Sequence, residues 1–235
     1  MKTSNKLLLG IFLMIIILVT TIQLVVYAKY KRGEYVQFKR EQYSPMTSME
    51  IPAVRYVSIT GLGGCEIISS DTAKLEIQDY KNSRVAYKMV NDTLIIYDNG
   101  EYNSDQIKDG ARNQHLVKVY LPANVQINAL YANLRIEGNG DSAQAPSYTL
   151  HLGKNSYLGI LNHDRENVNL YYNQLHINSE SSNISLDDHI IIKDLNIKLV
   201  DSRFEDKEAV IRNMAMDADN QSTVTLSGTN IKALK

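Results

Sequence analysis

The sequence predicts an all-β protein carried on a single N-terminal transmembrane helix. Its β part is expected to be a β-solenoid, a β-helix-like pile of coils, with a β-sandwich or meander as the alternative. Three observations predict this. An uncharged apolar run fills Leu7–Ala28. From Ala53 onward the chain is short β-branched and aromatic runs bounded by Gly, Asn or Asp. The last third resembles itself at a spacing of about 20 residues. The expected division is a tail over 1–6, a transmembrane helix over 7–28, a juxtamembrane linker over 29–52 and a repetitive β domain over 53–235.

The apolar run reads LLLGIFLMIIILVTTIQLVVYA, with Gln23 as its one strongly polar side chain. As a helix it covers roughly 33 Å, enough for a hydrocarbon core of about 30 Å. A soluble core helix would show a polar face every three or four positions, and this run shows none. A cleaved signal peptide is the competing reading, because Val26-Tyr27-Ala28 offers small enough residues to a peptidase. The run exceeds the roughly 7–15 residues of a signal h-region, so an anchor is preferred. Lys2 and Lys6 precede the helix, and Lys29, Lys31 and Arg32 follow it, so flanking charge does not set orientation. The character of the distal domain favours an extracytoplasmic C-terminus, hence a single-pass membrane protein with its β domain outside the cytoplasm.

Composition narrows the function. Lys+Arg 25 against Asp+Glu 26 leaves a net charge of −1, with no basic surplus to draw nucleic acid. A chain of 235 residues holds one medium domain plus an anchor. The single cysteine, Cys65, excludes an intramolecular disulfide, and no metal-ligand spacing surrounds it. Leu62-Gly63-Gly64-Cys65 looks like a lipobox, yet it lies far past the apolar run. A glycine turn leading into a buried thiol is the simpler reading.

Residues 29–52 mix charges with Pro45 and Pro52 and read as a linker, with one extended piece around Tyr35–Phe38. The strand runs VRYVSIT, CEII, KLEIQ, VAYKMV and TLIIY follow. The polar, turn-rich Asp98–Gln114 interrupts them, and LVKVYLP resumes the pattern. The self-similar units are LHINSESSNISL (Leu175–Leu186), LNIKLVDSRFED (Leu195–Asp206) and MAMDADNQSTVTL (Met214–Leu226). Each opens on an apolar–polar–apolar triplet, and each carries a serine, Ser182, Ser202 and Ser222. The triplets in Leu150–Leu152, Leu158–Ile160 and Val168–Leu170 continue the rhythm less regularly. Such a triplet sends two side chains to one face and one to the other. Coils stacked at about 4.8 Å would then bury a continuous apolar column.

The closing stretch Asp219–Gly228, DNQSTVTLSG, and the unit LHINSESSNISL resemble the head GIN domain, an auto-transporter-adhesin type of domain in Bacteroidetes envelope proteins. The glycine turn Gly61–Gly64 fits the same pattern loosely. The resemblance is detailed over the last sixty residues and stylistic from Val54 onward; the family is richer in Gly and Ala. It implies an export-side solenoid with no catalytic residues to carry over.

The search for chemistry yields little. No serine-hydrolase elbow, P-loop, HExxH or dinucleotide fingerprint occurs, so neither catalytic nor cofactor-binding nor metal residues are assigned. His151 and His176 sit between apolar neighbours and should point away from the core, where stacking would bring them near each other. His163-Asp164 and Asp187-Asp188-His189 read as solvated turns. Tyr148, Tyr157, Tyr171 and Tyr172 would form an aromatic strip for a carbohydrate or protein partner, or else be ordinary half-buried strand tyrosines. The expectation is therefore a non-enzyme: a membrane-anchored envelope protein that binds, adheres or scaffolds. Its partners would be the lipid bilayer and an unidentified protein or carbohydrate. The rivals are a polysaccharide-acting enzyme on a β-helix scaffold and a membrane-bound regulator facing the cytoplasm.

Overall fold

The computed structural model describes residues 3–32, 45–80, 83–99, 116–122, 124–160 and 168–232. The stretch Tyr35–Phe38, nearly all of the polar segment Asp98–Gln114, and His115, His163 and Asp164 lie outside the described residues. The chain divides into two compact units, Met1–Ser44 and Pro45–Lys235.

The first unit contains helix α1 (Thr3–Lys31). Its segment Leu8–Lys29 is long and apolar enough to cross a membrane, and none of it is buried against protein. Thr20 and Thr21 fit this setting because their hydroxyls donate back to the Ile16 and Ile17 carbonyls at 2.6 and 2.7 Å. A helix satisfies its own polar groups in this way where water is absent.

Among its described residues the second unit is all-β apart from two short helical turns. Its strands are β1 (Met46–Glu50), β2 (Tyr56–Thr60), β3 (Cys65–Ser69), β4 (Lys74–Gln78), β5 (Val85–Val90), β6 (Thr93–Asp98), β7 (Val117–Leu121), β8 (Gln126–Leu130) and β9 (Asn133–Ile136). There follow β10 (Ser147–Leu152), β11 (Tyr157–Ile160), β12 (Leu170–Glu180), β13 (Asn183–Leu186), β14 (Ile190–Val200), β15 (Arg203–Asp206), β16 (Val210–Ala218) and β17 (Thr223–Thr225). A nine-stranded sheet runs β1-β4-β7-β3-β9-β11-β13-β15-β17, and an eight-stranded sheet runs β16-β14-β12-β10-β8-β2-β6-β5.

Read together, the two orders are parallel lists. Each sequential pair β2–β3, β6–β7, β8–β9, β10–β11, β12–β13, β14–β15 and β16–β17 places one strand in each sheet. Between neighbouring pairs the strands are parallel. Antiparallel pairing among the described residues is confined to β1·β4, β4·β7 and β5·β6, plus the single bridge Asn139–Tyr171. One feature follows no simple order: β2–β3 lies between β6–β7 and β8–β9, so the chain lays down its second layer before its first.

The registers explain the apolar columns. In the eight-stranded sheet Leu94, Val57, Ile127, Leu150, Ile177, Ile197 and Met216 follow one another across the strands. In the nine-stranded sheet Ile77, Val117, Cys65, Leu134, Leu158, Ile184, Phe204 and Val224 do the same. Both columns feed a single core. Cys65 is thus a small hydrophobe in a file of aliphatics. Burial, aided by Glu66, pushes its thiol far above the usual range. Cys65 is expected to resist maleimide at mildly alkaline pH in the folded protein and to label quantitatively in denaturant; rapid labelling without denaturant would remove it from the core.

Corners between paired strands repeat as well. Gly61, Tyr131, Asn155, Ser181 and Asp201 all have positive φ, from 48° to 72°. Gly, Asn and Asp adopt this conformation readily, whereas Tyr131 is held there at a cost of about 1 kcal/mol. What holds it is the layer above and below. Gly61 N–H donates to the Leu130 carbonyl, Tyr131 N–H to Lys154, Asn155 N–H to Ser181 and Ser181 N–H to Val200, at 2.9–3.0 Å. Beside the corners, Ser182 N–H donates to Ser202 Oγ at 3.3 Å and Ser202 N–H to Ser222 Oγ at 3.1 Å. Ser156 takes the same place one layer earlier, its Oγ accepting from Ala132 N–H at 3.4 Å. Its distance from Ser182 exceeds twenty residues, which concealed it in the sequence.

The expected linker boundary at 52 falls inside folded structure. β1 pairs with β4, Ile51 is buried, and Met49 packs on the core. MTSME carries only a weak apolar alternation because it is an edge strand with one face and one edge open, so its pattern did not stand out.

Candidate functional site

The outward face of the eight-stranded sheet carries a row of residues in register on neighbouring strands. One row runs straight across seven strands: Ile95, Ser58, Asn128, His151, Asn178, Lys198 and Asp217. Each row member alternates with the buried columns, which is why, Ile95 apart, the residues between the leucines and isoleucines are polar.

A groove of about 410 Å³ crosses this face over β10, β12 and β14. His151, Asn178 and Lys198 line one side, and Gly153, Glu180 and Val200 the other. A Cβ at Gly153 would lie 3.0 Å from Leu130 Cδ1, so a larger residue there would push the Leu130 side chain aside. Leu130 and Val200, each 40% exposed, add aliphatic surface in the row two residues along from the polar one, at its β8 and β14 ends. Asn178 Nδ2 and His151 Nδ1 are hydrogen-bonded at 3.2 Å, fixing both side chains. The groove therefore offers an amide, an imidazole, an ammonium and a carboxylate beside aliphatic shoulders. Such a set orients a polyhydroxylated or peptide-like partner and does not assemble a nucleophile with a base.

The other sequence candidates are placed as follows. His176 is exposed on β12, but its partner across β10 is Thr149, whereas His151 lies opposite Asn178. The two imidazoles are thus offset by two residues and do not meet directly. Among the described residues no group of three His, Cys, Asp or Glu is arranged to hold a metal ion. His189 sits in the turn before β14 with positive φ, its Nδ1 3.2 Å from Asp188 Oδ2.

The tyrosine strip needs correction. Tyr148 and Tyr172 are only 6% and 1% exposed. Their hydroxyls donate to the Glu137 and Ile136 carbonyls at 2.8 and 3.0 Å, and burial raises both phenols well above their ordinary range. They close the core under residues 136–138, where Gly138 leaves room for a ring that would stand 2.7 Å from any Cβ. Tyr157 and Tyr171 are half-buried and lie in different sheets. Four tyrosines close in sequence therefore do not make one surface. The groove residues that the sequence did not single out, Asn178, Glu180 and Lys198, carry no signal beyond alternation with buried neighbours.

The outer face of the nine-stranded sheet differs in kind. Glu76, Lys118, Glu66 and Arg135 succeed one another across β4, β7, β3 and β9. Lys118 Nζ lies 3.0 Å from Glu66 Oε2, and Lys74 Nζ lies 2.7 Å from Glu76 Oε1. The Lys74 hydrogen bond draws the Glu76 carboxyl below its usual value. Those charges satisfy one another.

No family model matches the sequence, and no curated protein matches it. Solved structures do. A candidate adhesin from Parabacteroides distasonis is 11% identical over 77% of this chain and 72% of its own, with a TM-score of 0.53. A candidate adhesin from Parabacteroides merdae is 11% identical over 78% and 75%, with a TM-score of 0.39. One from Bacteroides fragilis is 10% identical over 77% and 95%, with a TM-score of 0.35. The first likeness carries the fold: the all-β architecture of this chain is one that a protein named as a candidate adhesin also has.

Proposed function

We propose that this chain is a single-pass, membrane-anchored envelope protein that displays a non-catalytic β-solenoid of the head GIN type outside the cytoplasm and works by binding. The proposed division is a tail over 1–6, the anchor over 7–28, a juxtamembrane linker over 29–44 and the binding domain from Pro45. Parallel layers in matched order, with stacked corners and columns, support the solenoid reading. The likeness to a candidate adhesin supports a binding role.

The observation that carries the proposal is the groove on the outward face, where His151, Asn178, Lys198 and Glu180 sit together on neighbouring strands beside the exposed Val200. An extended polymer, glycan or peptide, laid across the strands would meet these groups in succession. The test is a polysaccharide and peptide panel presented to the full chain in nanodiscs. Binding to at least one class is expected, with Lys198→Glu and Asn178→Ala each weakening it about tenfold, or roughly 1.4 kcal/mol. Cleavage of any polysaccharide, or binding indifferent to both substitutions, would overturn the reading. A phosphatase reporter fused after Lys235 is expected to be active in the periplasm; cytoplasmic activity alone would favour the regulator.

A further inference from the structure

The two ends of the stack close differently. At the C-terminal end Gly228–Ile231 forms a helical turn on β16. Asn230 is fully buried there, its side chain donating to the Ala209 carbonyl at 2.6 Å and accepting from Ile211 N–H at 3.0 Å. Stacked-layer proteins need such a polar cap, since the last layer otherwise turns its apolar face to water.

The opposite end has no such finish among the described residues. Beyond β7 and β6, the nine-stranded sheet adds β4 and β1, whereas the eight-stranded sheet adds β5 alone. β1 therefore has no strand across the core from it. Thr47 lies opposite the fully buried Ile77 and is nevertheless exposed, and Met49, opposite Leu75, is only partly covered. On β5, Tyr87 and Met89 stand opposite the fully buried Ile96 and Leu94 and are also only partly covered. Tyr80 adds a ring 37% exposed, 6.4 Å from that of Tyr87 and tilted to it by 50°.

The path of the chain selects what meets this end. Asp79 N–H donates to the Pro45 carbonyl at 3.2 Å, so the folded unit is entered beside Tyr80. From Arg32, just past α1, to Pro45 the chain can reach at most roughly 45 Å, and a flexible coil of that length averages about 20 Å. β17, at the other end of the stack, lies seven strand spacings from β4, about 34 Å farther on. The tether thus favours the Pro45 end over the capped one for contact with a bilayer. Tyrosine, apolar in its ring and polar at its tip, suits the headgroup layer, and methionine adapts to its irregular surface.

We propose that this end of the β unit is a membrane-contact face, with Tyr80, Tyr87, Met49 and Met89 set in the headgroup layer of the bilayer that holds α1. The proposal rests on reading α1 as an uncleaved anchor. Standing on that face, the unit holds the centre of its groove, on β12, five strand spacings from β5, about 24 Å from the lipid.

The chain contains no tryptophan, so Tyr80→Trp supplies a single fluorophore while keeping an aromatic ring in place. Thr47→Trp, at an exposed position on β1, is the second reporter, and Val224→Trp, on the capped end where Val224 is 36% exposed, is the control. Each full-length variant is reconstituted in phosphatidylcholine liposomes containing a phospholipid spin-labelled near its headgroup. With circular dichroism unchanged, Tyr80→Trp and Thr47→Trp are expected to emit to the blue of Val224→Trp and to be quenched severalfold more strongly. Quenching at either position no stronger than at Val224→Trp would overturn the face. Extraction with alkaline carbonate separates the two readings: release from the liposomes overturns the anchor and the face together, whereas retention with unquenched reporters overturns the face alone.

Discussion

Asp206→Ala is expected to lower the stability of the β unit by on the order of 3 kcal/mol, and its melting temperature by about 10 °C. Asp206 is 5% exposed at the end of a column that runs Ile160, Leu186, Asp206 across β11, β13 and β15. An apolar residue would be the simple continuation, and a carboxylate stands there because it ties down the helical turn Gly228–Ile231 that follows β17. Oδ1 accepts from Ala209 N–H at 2.9 Å. Oδ2 accepts from Ser227 N–H, Ser227 Oγ and Asn230 Nδ2 at 3.0, 2.7 and 2.6 Å. Alanine leaves four donors in or near the core without this acceptor, and removing one partner of a buried set costs far more than the net worth of the bonds. Asp206→Asn is expected to lose about half as much, since its oxygen serves one side while its amide faces other donors. Thermal melts of the full chain by circular dichroism measure both. A melt within about 1 °C of the parent for Asp206→Ala would show that the Gly228–Ile231 turn contributes little to the fold.

Phe204→Ala is expected to cost about 3–5 kcal/mol. Phe204 is fully buried in β15 between Ile184 and Val224, and is among the largest side chains in the core. Truncation removes apolar area and leaves a cavity that β13, held on its far side by β11, cannot collapse to fill; only the edge strand β17 has room to shift. Phe204→Leu keeps most of the volume and is expected to cost under about 1.5 kcal/mol. Where each layer contacts only its neighbours, the damage should also be local. Hydrogen exchange is expected to accelerate over β14–β17 while β2 and β8 keep their protection. Uniform acceleration across the sheet would point to a cooperative core in place of layered stability.

The two predictions bear on what the sequence disclosed. Alternation around Leu150, Leu175, Ile177, Leu195 and Ile197 was legible because a period of two with buried partners on one side leaves polar residues between apolar ones. All-β architecture with an N-terminal apolar helix followed from that and from the Leu7–Ala28 run. The Asp206–Ser227–Asn230 set was not legible. Its members are separated by more than twenty residues and look like ordinary turn residues until the chain has closed. The exchange of order between β2–β3 and β6–β7 was equally hidden, since no local propensity encodes which layer a strand joins. For the candidate site, His151 was readable as an outward residue. Tyr148 and Tyr172 misled because a tyrosine in a strand reads alike whether its hydroxyl reaches water or a buried carbonyl.

The row Ser58, Asn128, His151, Asn178, Lys198, Asp217 allows the layered arrangement to be measured directly. Nitroxide pairs on the full chain, read by dipolar EPR, should report one strand spacing of about 4.8 Å for every layer crossed, so that Ser58 to Asp217 spans about 24 Å. Ser58 and Asn128 should be strongly coupled although their layers are far apart in sequence. An Asn128 label remote from Ser58, or a Ser58–Asp217 separation no longer than that of Ser58–Asn178, would contradict the stack.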